Sequence, residues 1–285
     1  EPYRRQRQMC IRDRIKLGGN IETTWELDVE RTVTLDLNGY TLSCSSTDED
    51  IIRVRSSGNL TVKDSGTNGK IDGQNKNCGF EVKGGTLTLE SGSIVNCTDA
   101  DGDGGAVDVS NTGVTETPVK YGKFVMNGGT IKDCKAGDDG AAVDIGMGCT
   151  FTMNDGTISN CRAEDDGGAV FVKQGGFFVM NSGTIENCSA CNNGGAVNIY
   201  ENGSFTMTGG EIKGNSAMAA GGGIYSIANG DSALTVTVAG NALISENDAK
   251  NGGGIGANGA GKTTTVYSAY TIVCLLYTSD AADDK

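Results

Sequence analysis

The chain has 285 residues, among them 45 Gly, 2 Pro, 10 Cys and no His, with a formal net charge of -13. Without His there is no Ser-His-Asp triad, Cys-His pair or His-ligated zinc, and the acidic balance argues against a nucleic-acid partner. Glycine is at about twice its ordinary share of roughly 7%, yet the lack of a three-residue period excludes collagen, and no apolar run is long enough for a membrane span.

The first fourteen residues crowd five basic side chains, Arg4, Arg5, Arg7, Arg12 and Arg14, into a stretch without apolar periodicity. At the other end, Cys274-Leu-Leu-Tyr-Thr-Ser-Asp-Ala-Ala-Asp283 shares no pattern with the rest of the chain. The genetic code links the two ends. One set of codons for Arg4 to Arg14, read from its opposite strand, encodes Cys-Leu-Leu-Tyr-Thr-Ser-Asp-Ala-Ala-Asp. Residues 1–14 and 273–285 therefore resemble translated transposase adapter from sequencing-library preparation, and are set aside like a fusion scar. The body, 15–272, has a net charge of -14 and eight Cys, and its natural ends are expected to lie beyond it.

Trp25 and Leu27 are expected to belong to an N-terminal cap. The chain then runs through Thr32-Val-Thr-Leu-Asp-Leu-Asn-Gly-Tyr-Thr-Leu42, Ile51-Ile-Arg-Val54 and Gly58-Asn-Leu-Thr-Val62, where apolar and polar residues alternate. From Gly122 the spacing becomes regular. Gly122-Lys-Phe-Val-Met-Asn-Gly-Gly-Thr-Ile-Lys-Asp-Cys134 returns as Cys149-Thr-Phe-Thr-Met-Asn-Asp-Gly-Thr-Ile-Ser-Asn-Cys161 and Gly176-Phe-Phe-Val-Met-Asn-Ser-Gly-Thr-Ile-Glu-Asn-Cys188. Phe124, Phe151, Phe178 and Phe205 recur every 27 residues, as do Met126, Met153, Met180 and Met207. Each copy closes on a Gly-rich turn and a short apolar strand, as in Gly167-Gly-Ala-Val-Phe-Val172.

Two-residue alternation over three or four residues, broken by Gly, Asn and Asp, predicts short strands joined by turns and no helix. A 27-residue unit with about three such strands is one coil of a parallel β-helix, with coils stacked about 4.8 Å apart. Eight or nine coils are predicted. Identical positions become ladders, with Phe, Met and Ile inside and glycine at corners where φ is positive.

The pairing of Gly-Gly-Ala-Val with Phe-x-Met-Asn-x-Gly-Thr-Ile resembles the right-handed parallel β-helix repeats of large bacterial surface proteins, common in gut Firmicutes. It is also similar to the Gly-Gly-Ala-Ile and Phe-x-x-Asn repeats of polymorphic outer-membrane adhesins. The resemblance spans about Val33 to Ile255 and implies an all-β, right-handed, single-stranded, pectate-lyase-like solenoid. It implies a secreted or cell-surface setting and a host glycan or surface protein as ligand. It carries no chemistry, because a scaffold fold does not fix function.

Several motifs are weighed on their own residues. Asp99-Ala-Asp101-Gly-Asp103-Gly104 copies the first half of a calcium loop, but Ser110 stands where the bidentate Glu belongs. The corners bearing Asp103, then Asp138 and Asp139, then Asp165 and Asp166 are expected to stack on one edge. There carboxylates about 5 Å apart repel unless solvated or bridged by a cation. Calcium is thus a candidate ligand of these seven aspartates, with solvated acidic turns as the plain alternative; no other cofactor is expected. Cys97, Cys134, Cys161 and Cys188 share one repeat position with Asn215 and Asn247. Packing, disulfides and metal thiolates, including Cys188-Ser-Ala-Cys191, all fit that column, and exchange with Asn favours half-buried packing. Gly256-Ala-Asn-Gly-Ala-Gly-Lys-Thr263 spells a phosphate loop, but the β-branched residues after it offer no helix N-terminus, so no nucleotide is expected.

No catalytic residue is assigned. The acids recur at turns rather than forming one cluster, and Lys123, Thr150, Phe177 and Ser204 form neither a sugar platform nor a flat Thr array. The insertion at 110–121 holds a single acid, Glu116, and reads as surface decoration or a binding loop. The sequence therefore predicts a monomeric structural or adhesion scaffold binding host glycan or protein. The alternative is a polysaccharide lyase or glycosidase, which requires one non-repeating charged cluster in a groove.

Overall fold

The computed structural model describes residues 13–46, 50–113, 116–228, 234–258, 264–266 and 272–273. Residues 1–12 and 274–285, nearly all of the two adapter-like segments, lie outside the described residues, as do 259–263 of the phosphate-loop pattern.

The fold is a parallel β-solenoid, and among the described residues there is no α-helix. One coil shows the plan. Lys123–Met126 belongs to the first sheet, Thr130–Lys132 to the second, Lys135–Ala136 to a short third and Val143–Ile145 to the fourth. The four sheets hold 10, 10, 6 and 9 strands, so the fourth sheet's strands are separated by eight turns of chain. Each coil thus has up to four strands where three were expected. The additional strand is two residues long, too short to show alternation in sequence, and begins at Thr98–Asp99. Trp25 and Leu27 do not form the expected N-terminal cap. Leu27–Val29 is a strand paired with Ile52–Val54, and Trp25 is 63% exposed.

Strand pairing holds the 27-residue register. Phe124 faces Phe151, which faces Phe178, which faces Phe205. Their rings stack with centroids 4.7, 4.8 and 4.8 Å apart, which is the strand spacing itself. All four are at most 1% exposed, as are Met126, Met153, Met180 and Met207 and the Ile131, Ile158, Ile185 and Ile212 ladder. Each such side chain contributes about 1.5–3 kcal/mol on burial. Upstream, Leu87 and Leu89 take the Phe and Met rungs, which explains why the repeat fades in sequence without interrupting the core.

Two corner types close each coil. After the second strand the backbone turns left-handed at Asn96, Asp133, Asn160 and Asn187, with φ between 52° and 58°; Asn and Asp tolerate that region better than other non-glycine residues. Before the fourth strand the corner is glycine. At Gly167, φ is +66°, and a Cβ there would meet the Val170 carbonyl at 2.7 Å.

Candidate functional site

The acidic corners stack as predicted, and the structure shows what satisfies them. Asp103 Oδ1 accepts the Asp139 N–H at 2.9 Å, Asp139 Oδ1 accepts the Asp166 N–H at 2.9 Å, and Asp166 Oδ1 accepts the Asn193 N–H at 2.8 Å. Asp103, Asp139 and Asp166 thus each cap the backbone of the next coil. Burial, reinforced by the carboxylates of Asp103, Asp166 and Asp138, pushes the Asp139 carboxyl up to about 7, although the Asp166 N–H favours its ionised form. Burial also raises Asp166.

The seven aspartates do not act as one site. Oxygens of Asp103, Asp138 and Asp139 lie within 4.8 Å of one another. Asp165 and Asp166 belong to the next coil, and Asp99 turns back on its own loop to accept the N–H groups of Asp101 and Gly102. The trio fits a cation poorly: one oxygen of Asp103 and one of Asp139 hold N–H groups, and the other Asp103 oxygen lies 2.7 Å from Lys173 Nζ. A second acidic trio, Glu26, Asp50 and Glu81, is taken by Arg53. That guanidinium pairs with Glu26 at 2.8 Å, with Asp50 at 3.8 Å and with Glu81. Burial nonetheless raises Glu26 to about 7 and Asp50 to about 6.

The cysteine column is buried completely, where half-burial was expected: Cys97, Cys134, Cys161 and Cys188 are at most 1% exposed. Each thiol donates to the carbonyl two residues earlier, as Cys134 Sγ does to Lys132 at 3.2 Å. Asn215 continues the column by accepting the Cys188 N–H at 2.9 Å and donating to the Ile185 carbonyl at 3.1 Å. Burial raises the thiols of Cys134 and Cys188 well above the ordinary range.

A feature the sequence reading missed lies on the outer face of the fourth sheet. Its central strands read Val-x-Val or Val-x-Ile, as in Val107-Asp-Val109 and Val143-Asp-Ile145, with the flanking residues inside and x on the outer side. The x positions stack in the order Arg53, Glu81, Asp108, Asp144, Phe171, Asn198, Tyr225. Three acids on successive rungs give way to aromatic and amide side chains. Asp144 has no exposed surface, and its Oδ1 is buried without a hydrogen-bond donor. Its Oδ2 lies 2.8 Å from Lys173 Nζ, which also reaches Asp103 at 2.7 Å. Lys173 follows its strand on the next rung, its N–H donating to the Ile145 carbonyl at 2.9 Å, and its side chain reaches back to the earlier coils. Burial works against the ammonium, but Asp144 and Asp103 more than offset it and hold the lysine above its usual range. Burial, with Glu81, Asp50 and Asp103 in support, pushes Asp108 up to about 7, against Lys173.

Beside Lys173 opens a cavity of about 500 Å³, walled by Met147, Tyr200 and Phe171 and by Asp139, Asp165 and Asp166. Phe171 is 6% exposed and packs its ring 6.5 Å from that of Tyr200. Tyr200, 37% exposed, and Met147, 56% exposed, are the open walls. The insertion approaches the same corner. Asn111 Nδ2 donates to the Met147 carbonyl at 2.9 Å, and a Cβ at Gly148, where φ is +75°, would run into the Tyr121 ring. Glu116 is engaged by Ser56 at 2.8 Å and Lys120 at 3.8 Å.

Two further expectations meet the structure. The first sheet's second outward column is Thr34, Thr61, Thr88, Val125, Thr152, Val179, Thr206, Thr237, paired rung to rung. A β-branched ladder therefore runs beside the mixed column that sequence had considered. After the phosphate-loop pattern, Thr264–Val266 is a strand paired with the first sheet. No helix of the described residues is long and apolar enough to cross a membrane.

Compared with family models, with curated proteins and with solved structures, the chain finds no match.

Proposed function

We propose that this solenoid is a secreted or cell-surface adhesion scaffold that binds a saccharide in the cavity beside Tyr200. The observation that carries this reading is the change of character along the outer column of the fourth sheet, acid to aromatic, at the cavity. A stalk needs only the inner ladders; an outer column that sets aromatic and acidic side chains beside a cavity offers a surface to a ligand. An aromatic face flanked by carboxylates suits a sugar, whose C–H face packs on the ring while its hydroxyls donate to the acids. The resemblance to repeat regions of bacterial surface proteins supports the extracellular placement.

The alternative, a polysaccharide-cleaving enzyme, draws on Asp108 and Asp144, two acids on adjacent rungs and outside the repeat. Burial weighs against it, because Asp144 offers no surface to a substrate and its near oxygen is engaged by Lys173. A carboxylate that transfers a proton must reach the glycosidic oxygen. The test is a glycan array with the full chain, alongside a cleavage assay on polygalacturonate and other polysaccharides. Retention of a saccharide without shortening it is the expected result. Absence of binding to every saccharide would sink the reading, and turnover abolished by Asp108→Asn would replace it with the enzyme.

A further inference from the structure

The charges around the cavity are unbalanced. Its one cation, Lys173, is already held by Asp144 at 2.8 Å and Asp103 at 2.7 Å. The three aspartates that also line it, Asp139, Asp165 and Asp166, have no ion-pair partner within 4.0 Å among the described residues. Asp139 and Asp166 each use Oδ1 for the backbone of the next coil. The exposed Asp165 carboxylate has no side-chain donor within reach among the described residues. A uronic acid would meet these carboxylates as like charges and would have to take Lys173 from two existing partners. A ligand carrying its own ammonium group meets them as counter-ions, with the open face of Tyr200 available to a cation or a sugar ring. The volume, about 500 Å³, lies within the range of small-molecule sites, about 300–1,000 Å³.

From this charge distribution we infer that the cavity selects a protonated amino sugar, its ring on Tyr200 and its ammonium group facing Asp139, Asp165 and Asp166. The inference rests on the saccharide-binding reading and narrows it to one class. Amine-bearing oligosaccharides bind; N-acetylated and anionic ones of the same length do not.

The test is isothermal titration calorimetry of the full chain at pH 7 with three tetramers: glucosamine, N-acetylglucosamine and galacturonic acid. The glucosamine tetramer is expected to bind at least tenfold tighter than either of the others and to weaken as salt rises. Tyr200→Ala is expected to reduce its affinity at least tenfold and Asp165→Asn about threefold. Both are surface changes, and an unchanged thermal transition in each variant separates lost binding from lost folding. Equal or tighter binding of the acetylated or galacturonate tetramer would overturn the charge selection while leaving a saccharide groove. No binding of any tetramer would overturn this inference, and an array equally empty would overturn the saccharide reading as well. Binding of tetralysine as tight as that of the glucosamine tetramer would overturn the sugar assignment in favour of a basic peptide.

Discussion

Lys173 Nζ lies 2.8 Å from Asp144 Oδ2, tying a carboxylate with no exposed surface to a lysine that stands one rung further along the solenoid. Removing one partner of a buried pair leaves the other charge uncompensated and costs about 3–5 kcal/mol when both are buried. The Lys173 side chain is 40% exposed, so solvent screening brings the expected cost of Lys173→Met to about 1–3 kcal/mol. Adding Asp144→Asn should restore part of the loss. Thermal unfolding of the two single variants and the double variant checks this; additive losses would show that the pair is not coupled.

The stability of the fold should fall as pH rises through the neutral range. Asp108 and Asp139 are raised to about 7 and Glu26 to about 7, whereas unfolded carboxyls titrate near 4. Between those limits the native state holds more protons than the unfolded state, so its advantage is full below about pH 4 and is lost as pH climbs through 7. Asp36 and Asp72 are lowered instead and stabilise the fold above about pH 4, losing that contribution in acid. The expected optimum is mildly acidic. Melting curves from pH 4 to 8 should fall toward pH 8, with a shallower fall in Asp108→Asn; a curve rising to pH 8 would contradict the raised carboxyls.

Phe151 stands between two stacked rings. Phe151→Ala should destabilise by about 3–5 kcal/mol, because the neighbouring coils are held at strand spacing and cannot close the gap. Met153→Leu should cost less than about 1.5 kcal/mol, since leucine already occupies that ladder at Leu89 and the volumes are similar. Each kcal/mol moves the transition by roughly 2–4 °C in a chain of this size. Similar melting temperatures for the two variants would contradict the stacked core.

Among the eight described cysteines only Cys191 is not buried. Its Sγ lies 3.0 Å from Arg162 Nη2. Brief alkylation of the native protein followed by peptide mapping should label Cys191 ahead of Cys97, Cys134, Cys161 and Cys188. Equal labelling along the column would show that the thiols are not held inside.

Calcium should change little. Both oxygens of Asp103 and one of Asp139 are already committed to backbone N–H groups and to Lys173, so a cation would have to displace existing partners. Melting temperatures in calcium and in chelator are expected to agree within about 1 °C; a rise of several degrees with calcium, removed by Asp138→Asn, would establish a site at that corner.

The repeat made the coil legible. Phe, Met and Ile at a fixed 27-residue spacing leave only one way for short strands to share a core, and the solenoid, its ladders and the stacked acidic corners follow from that spacing. The Asn or Asp before each column cysteine proved to be a second corner, where the left-handed turn, as at Asn160, admits few other residues. A two-residue strand such as Lys135–Ala136 carries no period, which is why the third sheet did not show. Leu27 had no repeat partner to identify it as a strand residue.

The site was a different matter. Glu81, Asp108, Asp144 and Phe171 occupy equivalent outward positions, yet they look unrelated in sequence because an outward residue is under no packing constraint to repeat. Lys173 meets Asp103, seventy residues earlier, only because the coils are stacked. Sequence alone determined the coil, since burying identical side chains at strand spacing is a local and periodic requirement. Only the tertiary structure decided which acids are buried, which lysine neutralises them and where Tyr200 opens a cavity, because those depend on side chains from different coils meeting on one face.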